Sequence, residues 1–150
     1  MLQDPMFYRS GGADPGRDGC RVPLPWAGQE PPFGFSPDGP TASPWLPQPS
    51  GWRAFTAEAQ DDRPDSMLSL YREALRIRHA ERALGESSLC WLEAGEGVLA
   101  FARGDDFACV VNLSDVPIEL PSHEAVLIQS GRFEDGLLPQ DTAAWLRISA

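Results

Sequence analysis

The chain has 150 residues, 42% of them hydrophobic, enough for one ordinary core and well short of the roughly 250 residues that an eight-stranded β/α barrel requires. A formal charge of −10 and a pI near 4.5 argue against nucleic acid and anionic membrane as partners, because a phosphate-binding surface needs clustered Lys and Arg to release counterions. Cys20, Cys90 and Cys109 form no Cys-x-x-Cys pair and no metal-ligand spacing with His79 or His123, so the sequence predicts reduced thiols and neither metal nor cofactor.

The first 64 residues hold twelve of the 15 prolines and eight of the 14 glycines, with Trp26, Phe33, Phe35, Trp45 and Trp52 scattered among them. That composition predicts irregular backbone, and the aromatics argue against plain disorder. Within it stands Gly16-Arg17-Asp18-Gly19-Cys20-Arg21-Val22-Pro23-Leu24-Pro25-Trp26, a loop rich in charge and turn formers. Asp14 and Asp18, four residues apart, invite a catalytic-pair interpretation, but no flanking strand holds them, and turn or cap duty is expected.

From Pro64 to about Ala83 the pattern becomes helical. Met67, Leu70, Tyr71, Ala74, Leu75 and Ile77 recur at three- and four-residue steps, Asp62 or Asp65 is available as N-cap, and Gly85 as stop. The polar face carries Arg72, Glu73, Arg76 and Glu81, as expected of a helix packed on one side of a larger body. His79, near the helix end, is expected to satisfy local polar groups.

After Gly85 the period shortens to two. Apolar runs at 89–92, 98–102, 107–113, 116–120, 125–129 and 145–148 are separated by Gly, Asp, Pro and Ser, which predicts an antiparallel β unit of five to seven strands, arranged as a small sandwich. Hairpin turns are expected at Gly95-Glu96-Gly97 and Gly104-Asp105-Asp106. No stretch approaches the ~18 apolar residues of a membrane span, and no basic and apolar leader follows Met1, so the protein is expected to be soluble, unexported and cytoplasmic.

Three landmarks carry a family resemblance. The Gly16–Trp26 loop resembles the Arg-Asp-Gly-x-Arg-x-Pro-x-x-Trp signature of the α-glucosidase and oligo-1,6-glucosidase branch of glycoside hydrolase family 13. The segment from Asp65 through Tyr71-Arg72 to Arg78 resembles the last barrel helix of these enzymes. Val98-Leu99-Ala100-Phe101-Ala102-Arg103 and Val110-Val111-Asn112-Leu113-Ser114 resemble consecutive strands of the all-β domain that follows the barrel. The resemblance implies a mostly β chain with one main helix: residues 1–84 as the end of a (β/α)8 barrel, with substrate-site loop and last helix, and 85–150 as a C-terminal antiparallel β domain. Met1-Leu2-Gln3-Asp4-Pro5 reads smoothly into the family pattern, which is awkward for a natural beginning.

The resemblance also implies roles. Arg17 and Asp18 match the pair that lies at the sugar-binding end of the barrel, where a planar guanidinium can bind a sugar hydroxyl and a carboxylate together. Arg21 and Trp26 complete the substrate-binding set, and the implied ligand is an α-glucoside or oligosaccharide. A bland alternative has Arg17, Asp18 and Arg21 brace a Gly-rich turn through ion pairs, and Phe33, Phe35, Trp45 and Trp52 anchor the loop. The family's nucleophilic Asp, acid/base Glu and Asn-His-Asp triplet have no counterpart in the chain, and a retaining mechanism needs two carboxyls about 5 to 5.5 Å apart. The sequence therefore predicts a truncated α-glucosidase-like protein without catalysis of its own. Two alternatives remain open: half of a split glycosidase whose helix buries its apolar face in a partner carrying the missing barrel half, or a stand-alone carbohydrate-binding β domain.

Overall fold

A computed structural model describes residues 2–36, 44–85 and 87–149, so Met1 and its standing as a start lie outside the described residues. The chain forms two compact units, Met1–Ser69 and Leu70–Ala150.

The first unit is more ordered than its composition suggests. Asp4 caps a short helix α1, Pro5–Arg9, by accepting a hydrogen bond from the Met6 amide, and Pro5 sits at the first helical position, where a missing N–H costs nothing. A 3-10 turn follows at Asp18–Cys20, another at Ser50–Phe55, and a second short helix α2 at Ala57–Asp61, capped by the Thr56 hydroxyl on the Ala59 amide. Among the described residues its buried apolar side chains are Phe33 and Leu46, beside a polar set of Asp4, Asp18, Gln48, Thr56 and Ser66. So few buried side chains cannot hold some sixty residues alone, and hydrogen bonds carry much of the organisation.

The long helix α3 spans Met67–Ala80. Its cap is Ser66, not Asp62 or Asp65: the Ser66 hydroxyl accepts from the Ser69 amide at 3.2 Å and donates to the Gln60 carbonyl at 2.9 Å. A hydroxyl that donates and accepts can serve both partners here, whereas a carboxylate only accepts. Ile77 is the helix's buried residue and Leu70 and Ala74 are half-buried, while Met67, Tyr71 and Leu75 are exposed. A tight turn at Arg82–Leu84 follows the helix.

The second unit is an antiparallel sheet of β1 Leu89–Trp91, β2 Val98–Arg103, β3 Phe107–Asn112, β4 Ala125–Gln129 and β5 Thr142–Arg147, in spatial order β1-β2-β3-β5-β4. Both hairpin turns fall where expected, with Gly97 at φ 74° and Gly104 at φ 60°. The alternating side chains of β3 divide the core in two. Ala108 and Val110 join Ala100, Ala144, Leu146 and Leu138 on one face. Phe107 and Cys109 join Ala83 and Leu84 on the other, with Phe101, Leu127 and Trp145 packed against them.

The expected strand at 116–120 is reduced to a bridge between Ile118 and Leu138, and Glu134 pairs with Leu137 in a second bridge. Pro117 and Pro121 remove ladder donors on either side of Ile118. The second layer of the sandwich is therefore these irregular segments, which place Ile118, Leu120, Phe133 and Leu138 over the first face. Asn112, fully buried at the end of β3, holds them in place. Its Nδ2 donates to the carbonyls of Val116 and Leu138 at 2.8 and 2.9 Å, and its Oδ1 accepts from the Ser114 amide and hydroxyl.

Candidate functional site

The signature loop is built around a residue outside the signature. Asp4 is buried, and besides capping α1 it accepts from the Arg17 amide at 2.9 Å and pairs with the Arg21 guanidinium at 3.0 Å. The Arg17 backbone N–H, then that of Met6, hold its carboxyl below the ordinary 3.8, and the charges of Arg21 and Arg17 act in the same direction. Gly16 makes this approach possible. It lies at φ 68°, and a Cβ there would stand 2.4 Å from the Asp4 Cγ.

Asp18 is the counterpart of Asp4. Its Oδ2 accepts from the backbone amides of Gln3 and of Asp4, the latter at 2.9 Å, while its buried Oδ1 has no hydrogen-bond partner among the described residues. The two aspartates thus clamp the 2–4 and 16–21 segments reciprocally, each accepting main-chain hydrogen bonds from the other's segment. Asp14 accepts from the Gly16 amide at 2.8 Å, a turn role, and the Cys20 thiol donates to the Arg17 carbonyl.

Of the four expected substrate residues, Asp18 and Arg21 are committed to this clamp, and the Arg17 backbone is too. The Arg17 side chain is exposed. Trp26 belongs to a separate strut: its amide and that of Ala27 donate to the Phe33 carbonyl at 2.7 and 2.9 Å, and its carbonyl accepts from Glu58 at 2.9 Å. Its indole is half exposed. Phe33 is fully buried and anchors this strut, whereas Phe35 and Trp45 stand out to solvent.

Asp4 is the residue that sequence reasoning missed. An Asp-Pro pair at a helix start is a readable cap signal, but nothing local connects it to a glycine twelve residues on. The two histidines play local parts: the His79 and His123 rings donate from Nδ1 to the carbonyls of Leu75 and Pro121, both at 2.8 Å. Among the described residues no group of three or more His, Cys, Asp or Glu could hold a metal ion, and no helix is long and apolar enough to cross a membrane.

The second unit carries a groove of about 530 Å³ with a floor of Val98, Ala100, Val110 and Ile118 and a rim that includes Glu93 and Asp115. It contains none of the signature residues.

No family model matches the chain. It is 31% identical over 151 positions to a probable alpha-glucosidase of Rhizobium meliloti (strain 1021), which covers 96% of the chain and 26% of that protein. An oligo-1,6-glucosidase of Saccharomyces cerevisiae (strain ATCC 204508 / S288c) is 40% identical over 67 residues, 44% of the chain and 11% of the enzyme. Among solved structures, the alpha-glucosyl transfer enzyme XgtA superposes with a TM-score of 0.74 at 31% identity, over 97% of the chain and 29% of that structure. The isomaltulose synthase PalI from Klebsiella sp. LX3 superposes at 0.73 with 23% identity over 95% of the chain, a likeness of fold. The chain thus spans about a quarter of the length of its full-span curated relative. It is a homologue of the α-glucosidase and oligo-1,6-glucosidase enzymes of glycoside hydrolase family 13, corresponding to a portion of them.

Proposed function

We propose that the chain corresponds to the C-terminal part of an α-glucosidase-type protein of carbohydrate metabolism, residues 1–84 to the end of the catalytic barrel and 85–150 to the following β domain, acting in the cytoplasm. The observation that carries the functional reading is the division of labour in the signature loop. Asp4, Asp18 and Arg21 fix the main chain around Gly16, while the guanidinium of Arg17 and the face of Trp26 stay open. In this reading Arg17 donates to hydroxyls of an α-glucoside, Trp26 packs on an apolar sugar face, and Asp18 and Arg21 hold the loop that presents them.

The chain supplies no counterpart of the family's nucleophile and acid/base pair, so alone it binds weakly and does not hydrolyse. Release of glucose from p-nitrophenyl α-glucoside by the pure chain would overturn this. In a protein that joins this chain to the barrel elements, Arg17→Ala is expected to raise KM at least about tenfold, the effect of losing about 1.4 kcal/mol of a charged hydrogen bond, with Arg17→Lys recovering little of it.

The exposed row of Met67, Tyr71 and Leu75 along α3 favours a second reading. Apolar side chains at i, i+4 and i+8 form one stripe, and a stripe left in water on a helix that already buries Ile77 suits a covering body, which here is the missing barrel half supplied by another chain. Co-expression with a polypeptide that carries the upstream barrel elements tests it: a stable complex that Tyr71→Lys abolishes supports the split arrangement, and two chains that elute separately sink it.

A further inference from the structure

The sheet has two edges, and the β1 edge is blunted by its three-residue length alone. β4 carries a register shift between Val126 and Ile128 and is preceded by Glu124, the bulge and charge with which natural sheets discourage further pairing. β1 has neither. From Ser87 to Leu92 there is no charge and no proline, in a chain of net charge −10, and every residue of the strand is exposed, Trp91 to 68%.

The hydrogen-bond parity of β1 fixes what can pair with it. Leu92 donates to the Ala100 carbonyl at 3.0 Å, Gly104 donates to the Ser88 carbonyl at 3.2 Å, and the register pairs Cys90 with Ala102. Residues 88, 90 and 92 therefore turn their main-chain groups toward β2, and Leu89 and Trp91 turn theirs outward to the open edge.

We propose that this edge pairs with the same edge of a second copy of the chain, antiparallel about a two-fold axis at Cys90, joining the two sheets into one of ten strands. The outward groups of Leu89 meet those of Trp91 of the other copy, and the reverse, giving four main-chain hydrogen bonds. Leu89 and Trp91 lie on the face of Phe101, with which Trp91 already makes an edge-to-face contact at 5.9 Å, so the pairing sets each copy's Trp91 beside the other's Leu89 on that face. Charge at the seam does not oppose a like copy, although each carries a net −10. In this register Glu93 comes opposite Ser87, so no two carboxylates face each other on the strand, and the neutral edge lets two acidic molecules approach. The inference rests on the sheet alone and is independent of the sugar-site reading.

A central Cys90 makes the arrangement testable. It occupies the non-hydrogen-bonded position across the axis, where Cα atoms stand roughly 4.5 Å apart, inside the roughly 4.4 to 6.8 Å window of a disulfide. Mild oxidation of the full chain with diamide, which takes up two electrons and two protons from a thiol pair, is expected to give a covalent dimer whose peptide map is dominated by Cys90 joined to Cys90. Light scattering should show a reversible dimer that survives in Cys90→Ser, and the amides of Leu89 and Trp91 should exchange about tenfold more slowly at high protein concentration than at low. The double variant Leu89→Lys, Trp91→Lys places ammonium groups beside one another and should abolish dimer and crosslink. A wild-type chain that stays monomeric at millimolar concentration, or a covalent dimer joined through Cys20, overturns the proposal, and the exchange measurement decides the matter even if the lysine variant fails to fold.

Discussion

The signature loop and the central strand make opposite use of polar atoms. Around Gly16 the buried groups are carboxylates, Asp4 and Asp18, that accept main-chain hydrogen bonds across 14 or so residues of chain. In β3 the buried groups are Phe107, Ala108, Cys109 and Val110, and the polar main chain is consumed by ladders on both sides. A carboxylate clamp is directional and specifies one loop conformation, but each net hydrogen bond adds only about 0.5 to 1.5 kcal/mol. Apolar burial on two sheet faces adds up over many side chains and tolerates approximate geometry. The first arrangement suits positioning a few groups and the second suits stability.

Phe107→Ala attacks the second arrangement where it is strongest. A fully buried ring stacked edge-to-face with Trp145 at 5.7 Å is removed, and a loss of about 3 to 5 kcal/mol is expected in urea unfolding. A change below 1 kcal/mol would mean that the sheet is not the stable part. Asn112→Leu probes the polar exception inside the sheet. It removes one of two donors from each of the carbonyls of Val116 and Leu138, which keep the Ser114 hydroxyl and the Ile118 amide, and takes the acceptor from the Ser114 amide. The cost should be about 1 to 3 kcal/mol, with amide exchange accelerated chiefly across 113–121, and uniform acceleration over all five strands would contradict a local staple.

Gly16→Ala turns to the first arrangement. The left-handed backbone alone costs about 1 to 2 kcal/mol, and the Cβ would meet the Asp4 side chain. We expect proteolysis to begin before Asp65 in this variant while the sheet from 87 onward keeps its wild-type resistance, and early cuts within the sheet would break the comparison.

Acid should act in the same order. Because the folded carboxyl of Asp4 is depressed below 3.8, its contribution is fully present above that value and is lost as pH falls through the lower folded one. Backbone resonances of 2–21 should therefore shift below about pH 4, ahead of those of β2, β3 and β5, and simultaneous loss would show that the two units do not differ in this respect. The smallest effect is chemical. Burial pushes the Cys109 thiol up to about 11, with a hydrogen bond involving Trp145 opposing the shift, whereas Cys20 and Cys90 are exposed. Iodoacetamide at pH 8 should label two thiols in the native chain and three in urea.

How much of this could be read from the sequence follows from the range of the interactions. The short apolar runs at 98–102 and 107–113, bounded by Gly and Asp, are a local signal that predicts the strands and both glycine turns. The helical spacing of 67–77 was equally local, though the choice of Ser66 over two aspartates as cap depended on the Gln60 carbonyl six residues back. The Val116–Leu120 run has the apolar content of a strand, but Pro117 and Pro121 remove donors that a ladder needs, and a bridge at Ile118 is what forms. In the loop, the sequence marked Arg17, Asp18, Arg21 and Trp26 as a set. It could not separate the groups that hold from the groups that are held out, since that distinction is made by Asp4, a residue that no spacing rule connects to Gly16.

Phe33 imposes a different kind of constraint. It is fully buried yet sits at φ 49°, in the left-handed region that favours glycine, and its carbonyl receives the amides of Trp26 and Ala27. Glycine there would relieve about 1 to 2 kcal/mol of backbone strain while opening a cavity that costs about 3 to 5, and a β-branched residue would worsen both. Every single step away from phenylalanine is downhill in fitness for the fold, so in a saturation library position 33 should stand out as the least permissive site of the first 60 residues, more so than the charged positions of the signature itself.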